Sequence, residues 1–372
     1  MKKQRHEKMD SSVFILTDEP LERDRRVIQS IAEYPNTQIV FIQDHKSISD
    51  YRIYVIALWL MLRALFGALP ILKTLIGLRK QYPKQRFWSG VPAAWVSICR
   101  AVNMGQNIKD AELVHAHDLY CAVAALLIAP RVHSFIYDSH EVQFHRNRKS
   151  GILRALIEVG LEKKILQAAN EVRIVNYAIA DLMRKLYRNM PPVRVLYNDF
   201  YASHELAAPP AESHAALVYV GKGLSGRMLE VLDRPRQELG AEVFLFHLGA
   251  SVPKHISGQD WHIGPVDYEA ALIQIAQSRR CLMWCCHDDI CLSYKYAIPN
   301  KFFQALALGM PVVALHGTYL AEIVDEFELG PVYKKGESLG PILQLVGSGL
   351  FEHWRANGVK FLENIRSGEL KI

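Results

Sequence analysis

Tyr294-Lys-Tyr-Ala-Ile-Pro-Asn-Lys-Phe-Phe-Gln-Ala-Leu-Ala-Leu-Gly-Met-Pro-Val-Val-Ala314 is the stretch whose reading decides the fold. Pro299 stands where a helix can begin, because its missing N–H is harmless there. The spacing predicts a helix from Asn300 to Leu308, with Gly309 as its C-terminal cap. Asn300, Lys301 and Gln304 share one face, and Phe302, Phe303 and Leu306 share the other. Met310 to Leu315 follows as an apolar strand. A helix feeding directly into a buried strand is half of a parallel βαβ unit. The polar face opens at a helix N-terminus, on the carboxyl edge of such a sheet. Doubly wound domains bind ligands at that edge, and helix N-termini favour anions.

Working outward, the alternation continues on both sides. Ala216 to Val220, Glu242 to Leu248 and Cys281 to Cys285 read as strands. Gly226 to Leu232 reads as the start of a helix, Tyr268 to Ser278 as a helix, and Leu350 to Ile365 as a closing helix. Toward the N-terminus, Val13 to Thr17, Gln38 to Gln43, Leu113 to His117, Ser134 to Asp138 and Val172 to Asn176 read as strands. Helical runs at Glu22 to Tyr34, Ala122 to Leu127 and Gly151 to Ala169 separate them. Strands spaced by helices predict parallel sheets. The strongest punctuation is Pro191-Pro192 and Ala207-Ala-Pro-Pro-Ala211, which puts a domain boundary between Asn198 and Ser213. The expected domains are 1–200 and 213–350, each Rossmann-like. A helix over 351–372 has the length to fold back on the N-terminal domain.

The length of 372 residues fits two domains at roughly 100–200 residues each. With 50% hydrophobic and 22% charged residues, both can bury a core. A net charge of +6 is too mild for a nucleic-acid binder. It suits an anionic small-molecule ligand or an anionic membrane surface. The N-terminus MKKQRHEK is basic, yet no apolar segment follows directly, so a cytoplasmic location is expected. The six cysteines are then free thiols. Cys281, Cys285, Cys286, His287 and Cys291 lack the spacing of a zinc site, and Cys281 to Cys285 lies in an apolar strand, so they read as small buried thiols.

Three further features carry chemistry. Gly221, Gly223 and Gly226 spell G-x-G-x-x-G after a strand, which leaves a nicotinamide-dependent oxidoreductase open as an alternative. The acid such a domain needs on its second strand is missing, since His247, Leu248 and Gly249 stand there. Leu113-Val-His-Ala-His-Asp-Leu119 and Phe135-Ile-Tyr-Asp-Ser-His-Glu141 each set a histidine and an acid at a strand end, bringing His117, Asp118, His140 and Glu141 to the ligand edge of the first sheet. Finally, Ile53 to Leu78 is apolar and exceeds the ~20 residues of a bilayer span. Arg63 and Lys73 interrupt it, each costing about 2.5–3.5 kcal/mol at a membrane centre. It predicts two short amphipathic helices meeting near Gly67 and Pro70. Packing on the domain, docking on a membrane with help from Arg79, Lys80, Lys84 and Arg86, and spanning the bilayer all remain open.

The run Tyr296-x-x-Pro299-Asn300-Lys301-x-x-Gln304, with Gly309-Met-Pro-Val-Val-Ala314 and Glu322-Ile-Val324, resembles the donor-binding segment of glycosyltransferase family 4. The resemblance implies two facing Rossmann-like domains (the GT-B fold) and retaining transfer from a nucleotide-sugar, without a divalent metal or other cofactor. It implies that Gly221, Lys222, Arg227, Tyr296, Asn300, Lys301, Gln304 and Glu322 bind the donor. Arg227 is first choice for the diphosphate and Lys222 second. In that family two glutamates eight positions apart contact the sugar and the ribose; here they are Tyr296 and Gln304. Gln304 can still bond a ribose hydroxyl, whereas Tyr296 cannot replace a carboxylate, so a non-catalytic nucleotide-sugar-binding relative is a second alternative. The resemblance further implies that His140 orients the transferred sugar and that His117, Asp118 and Glu141 serve the acceptor. The expected partners are a UDP- or GDP-sugar and a lipid-linked or polysaccharide acceptor at the inner membrane surface, as in capsule, lipopolysaccharide or exopolysaccharide synthesis. No nucleic acid is expected.

Overall fold

A computed structural model describes residues 13–17, 25–34, 37–44, 50–81, 90–108, 111–146, 151–199, 201, 208–211, 213–221, 226–232, 242–247, 268–288 and 290–372. The chain divides into two compact units, Met1–Tyr197 and Asn198–Ile372.

The first unit holds β1 (Val13–Thr17), β2 (Thr37–Phe41), β3 (Ala111–His117), β4 (Val132–Ser139), β5 (Glu171–Ile174) and β6 (Val193–Val195). They form one parallel sheet in the order β2-β1-β3-β4-β5-β6. The chain runs outward in one direction from β1 and in the other from β3. Such a reversal opens a crevice beyond the carboxyl ends of those two strands. The helices are α1 (Arg25–Glu33), α2 (Tyr51–Ala68), α3 (Leu72–Gln81), α4 (Val91–Asn107), α5 (Asp118–Ile128), α6 (Ile152–Ala168) and α7 (Tyr177–Leu186). β3 passes into α5 without an intervening loop. Asp118 makes the corner with a left-handed φ of 65°, uncommon for a residue with a side chain.

The apolar stretch does form two helices, α2 and α3, joined by a 3-10 turn over Leu69–Ile71 that contains Pro70. α2 packs on α4 and α6. Gly160 of α6 meets its backbone so closely that a Cβ there would lie 2.7 Å from the Ala64 Cα.

The second unit holds β7 (Ala215–Gly221), β8 (Glu242–His247), β9 (Arg280–Trp284), β10 (Val312–Leu315) and β11 (Val332–Tyr333). The order is β11-β10-β9-β7-β8, again all parallel. Here the reversal falls between β7 and β9. Every residue of β9 is buried, as expected of a central parallel strand. Its helices are α8 (Tyr268–Ser278), α9 (Leu292–Tyr296), α10 (Asn300–Ala307), α11 (Tyr319–Glu326), α12 (Gly340–Val346) and α13 (Leu350–Ser367). Gly309 ends α10 with a φ of 64°, the left-handed conformation that such a cap requires. The closing helix α13 packs on α10 and α12 of its own unit, with Phe361 edge-on to Phe302 at 5.7 Å.

Two local expectations need correction. Gly226 to Leu232 does not start an α-helix. Gly226 and Met228 take left-handed φ values of 72° and 53°, and only a 3-10 turn over Leu229–Val231 follows. Nor does α10 present an open polar face. Asn300 is exposed, but Lys301 and Gln304 are buried along with Phe302 and Phe303: Lys301 reaches inward to the sheet, and α13 covers the face that bears Phe302 and Leu306.

Candidate functional site

In the second unit the crevice beyond β7 and β9 gathers a cationic cluster. β7 ends at Gly221, where any side chain would run into the Tyr219 hydroxyl. The chain returns at Gly226, whose left-handed turn presses on the segment after β9. A Cβ there would lie 2.8 Å from Ile290 and 2.9 Å from Tyr294. Glycine is therefore required twice over, by conformation and by space. This turn delivers Arg227. Its backbone carbonyl accepts the Trp284 indole N–H at 2.9 Å, and its guanidinium lies 4.6 Å above the Tyr294 ring. Its Nη1 donates to His287 Nε2. His287 is buried, and burial, then the charges of Arg227 and Lys301, hold its pKa well below the usual histidine range. The ring is neutral and accepts from Arg227.

Lys301 enters the same cluster from α10. Its Nζ donates to the Trp284 carbonyl at 2.7 Å and sits 4.1 Å over the Tyr219 ring. Burial pulls its ammonium down to about 7; Cys285 works against the shift and Arg227 with it. An arginine and a lysine thus converge with no carboxylate among the partners described for them. Bringing up a dianion would relieve both the burial and the like-charge repulsion.

The remaining donor-side residues are less concentrated. Gln304 is buried one turn beyond Lys301. Tyr296 is half-buried at the end of α9, with Lys295 Nζ 6.0 Å from its ring centroid. Glu322 is exposed in the first turn of α11, which Thr318 caps by accepting from the Ala321 N–H at 3.2 Å. Lys222 and Gly223 lie outside the described residues. The four cysteines here are buried free thiols, and burial pushes Cys285 up to about 11.

In the first unit the strand ends of β3 and β4 bring together a different constellation. His115, His117, Asp138, Arg26 and Ser30 are all buried. Burial alone would raise the Asp138 pKa, but Arg26, the hydrogen bond from His115 and the two other histidines hold it well below the usual carboxylate range. Arg26 Nη2 donates to one carboxylate oxygen and His115 Nε2 lies 3.3 Å from the other. His115, His117 and Asp138 are close enough to hold a metal ion. The Arg26 guanidinium already engages that carboxylate and opposes a second cation there.

The hydrogen-bond directions follow from proton counting. Ser30 Oγ donates its single proton to the Arg26 carbonyl at 3.0 Å. Its oxygen is then left to accept from His117 Nε2 at 3.3 Å. Burial, then the neighbouring His115, hold His117 far below the usual histidine range, so its ring is neutral. With the proton on Nε2, His117 Nδ1 accepts from His140 Nε2 at 3.1 Å. His140 stands partly exposed at the mouth of the cluster, with its other nitrogen 3.9 Å from Asp118. Held this way, His140 presents its Nδ1 edge to a ligand hydroxyl. Asp118 is itself fixed by Gln143 Nε2 at 2.6 Å, and Glu141 by Arg146 at 3.1 Å.

The structure therefore brings His117, Asp118 and His140 together in one unit, and Gly221, Arg227 and Lys301 in the other. Sequence reasoning missed Arg26, Ser30 and His115 in the first cluster and His287 and Tyr294 in the second. Arg26 reaches Asp138 across 112 positions, which no local pattern reveals. Tyr294 lay inside the quoted motif.

No family model and no curated protein matches the chain. Solved structures do. Sucrose-phosphate synthase from Thermosynechococcus elongatus aligns over 96% of this chain and 98% of its own, at 14% identity and a TM-score of 0.54. TarM aligns over 70% of this chain and 55% of its own, at 11% identity and a TM-score of 0.51. The glycosyltransferase SnogD from Streptomyces nogalater aligns over 96% and 94%, at 12% identity and a TM-score of 0.47. The chain has the GT-B fold. At these identities the likeness is one of fold.

Proposed function

We propose that this protein is a retaining glycosyltransferase, transferring a sugar from a UDP- or GDP-sugar to a lipid-linked or polysaccharide acceptor during surface-glycan assembly at the cytoplasmic face of the inner membrane. The observation that carries the proposal is the convergence of Arg227 and Lys301 at the switch crevice of the second sheet. Departure of a nucleoside diphosphate builds negative charge, and preorganised cations in a water-poor crevice stabilise it. Asn300, at the exposed start of α10, adds a polar group where the helix dipole is positive. Gln304 serves the ribose, with Gly221, Tyr296 and Glu322 contributing to donor binding. The two cations do the work a divalent metal would otherwise do, so the reading requires none.

The sugar passes through an oxocarbenium-like state. His140 hydrogen-bonds a sugar hydroxyl and orients the ring. His117, Asp118 and Glu141 hold the acceptor side. Retention follows from attack on the face the diphosphate leaves, with that phosphate taking the acceptor proton.

Tyr296 and Gln304 favour one second reading, a relative that binds nucleotide-sugar without transferring it. His247 at the end of β8, where a dinucleotide-binding domain carries an acid, argues against a nicotinamide enzyme. Thermal-shift measurements separate the three. UDP or GDP raises the melting temperature and NADH does not; stabilisation by NADH alone overturns the proposal. Release of nucleoside diphosphate in the presence of acceptor then distinguishes the enzyme from the binding relative.

A further inference from the structure

Helix α2 has two unlike faces. Ile53, Ala57, Leu60, Ala64 and Ala68 recur at helical spacing and are buried against α4 and α6. On the other side Tyr54, Leu58, Trp59, Leu62 and Phe66 form a continuous strip, with Phe66 71% exposed, and Leu69 extends it into the turn before α3. Soluble monomers rarely leave so long an apolar strip uncovered, and such strips mark contact surfaces.

The segment that bears the strip is strongly cationic, bounded at the start of α2 by its N-cap Asp50. Residues 51–109 contain nine lysines and arginines and not one aspartate or glutamate, although the whole chain carries only +6. The rest of the protein is therefore net negative, and its positive charge is concentrated on this segment. Arg63 lies 4.4 Å over the Trp59 ring. From α6, Lys163 reaches the Gly67 carbonyl at 3.4 Å. Burial, then the charges of Arg63 and Lys163, lower the neighbouring Lys164 ammonium, which places three cations along one flank of the helix.

This combination selects the occupant. An isologous dimer would set this cationic patch against a second copy of itself, which disfavours a second chain. A membrane-spanning helix would have to leave α4 and α6, yet α2 is locked to α6 by the close approach at Gly160. A helix anchored on one face and apolar on the other, flanked by Lys and Arg and carrying Trp and Tyr, matches an element lying in the plane of a bilayer. We propose that α2 and the start of α3 dock the first unit flat on a bilayer containing anionic lipid. Trp59 and Phe66 enter the acyl boundary, and Arg52, Arg63 and Lys73 meet the lipid phosphates.

The inference does not rest on the transferase reading, because lipid binding is read without activity. The test is co-sedimentation of the full chain with vesicles of phosphatidylcholine alone and of phosphatidylcholine mixed with phosphatidylglycerol. Binding to the mixed vesicles is expected to be at least about tenfold tighter, and to weaken as salt is raised. The double substitution Trp59→Ser and Phe66→Ser is expected to lose at least about tenfold with an unchanged melting curve, since both side chains are exposed. No binding to mixed vesicles, equal binding to both kinds, or wild-type binding by the double variant overturns the proposal. So does a dimer in solution that the double variant dissolves, which would identify a second copy as the occupant.

Discussion

The two clusters both lie at the carboxyl ends of parallel strands, one strand apart in the order of their sheets, and are built from opposite chemistry. The cluster beyond β3 and β4 is a hydrogen-bonded chain of three histidines, an aspartate, a serine and an arginine, with the Arg26 and Asp138 charges balanced inside it. The cluster beyond β7 and β9 holds Arg227 and Lys301, and the group nearest to them, His287, is neutral. A balanced circuit with one partly exposed imidazole at its mouth suits an uncharged polyol. An unbalanced cationic crevice suits a dianion. The same α/β frame thus carries two contrasting clusters through a few residues at its strand ends.

The comparison can be broken most sharply at His140. His140→Ala is expected to bring transfer below detection while nucleotide affinity stays within about twofold of wild type. Steady-state turnover and calorimetric titration with nucleoside diphosphate check this, and a loss of nucleotide affinity would move His140 to the donor side. Next comes Arg227→Ala, expected to lower transfer at least about 100-fold by removing one charge contact to the leaving group. Near-normal turnover would take Arg227 out of the site.

A smaller effect sharpens the contrast in protonation. The folded pKa of Lys301, about 7, lies below its ordinary value of 10.5. Between these values the unfolded chain holds more protons, so this residue makes stability rise with pH through that window. Its destabilising effect is fully present below about 7, where the ammonium is charged in both states. A bound diphosphate favours the charged form, so binding at about pH 8 should take up a fraction of a proton. Titrations in buffers of different ionisation heat will show it, and Lys301→Met should abolish it. Buffer-independent heats in the wild type would mean that Lys301 does not sense the ligand.

Most strands were legible because buried parallel strands read as short apolar runs, whereas the edge strands β6 and β11, three and two residues long, left no run to read. The run Val312–Leu315 and the cap at Gly309 stood out for that reason. α4 was not legible. It is covered by α2 and α5, so Val91–Asn107 shows little polar–apolar contrast for a period to act on. α7 left one usable sign, Asn176, whose side chain caps it by accepting from the Ile179 N–H at 2.8 Å. The turn through Gly226 and Met228 was read as a helix because sequence spacing carries no record of left-handed backbone. Of the sites, residues inside a motif could be named, while Ser30, Arg26 and His287 owe their roles to packing between distant segments.

The two-faced character of α2 constrains how the protein can be handled. Its outer strip sets large apolar side chains in water wherever no bilayer is present, and trimming the helix would look like the obvious remedy. The inner face forbids that, because deleting it would strip Ala57, Leu60 and Ala64 from against α6 and leave Gly160 facing water. Solubility has to be engineered residue by residue on the outer face, with the helix kept whole.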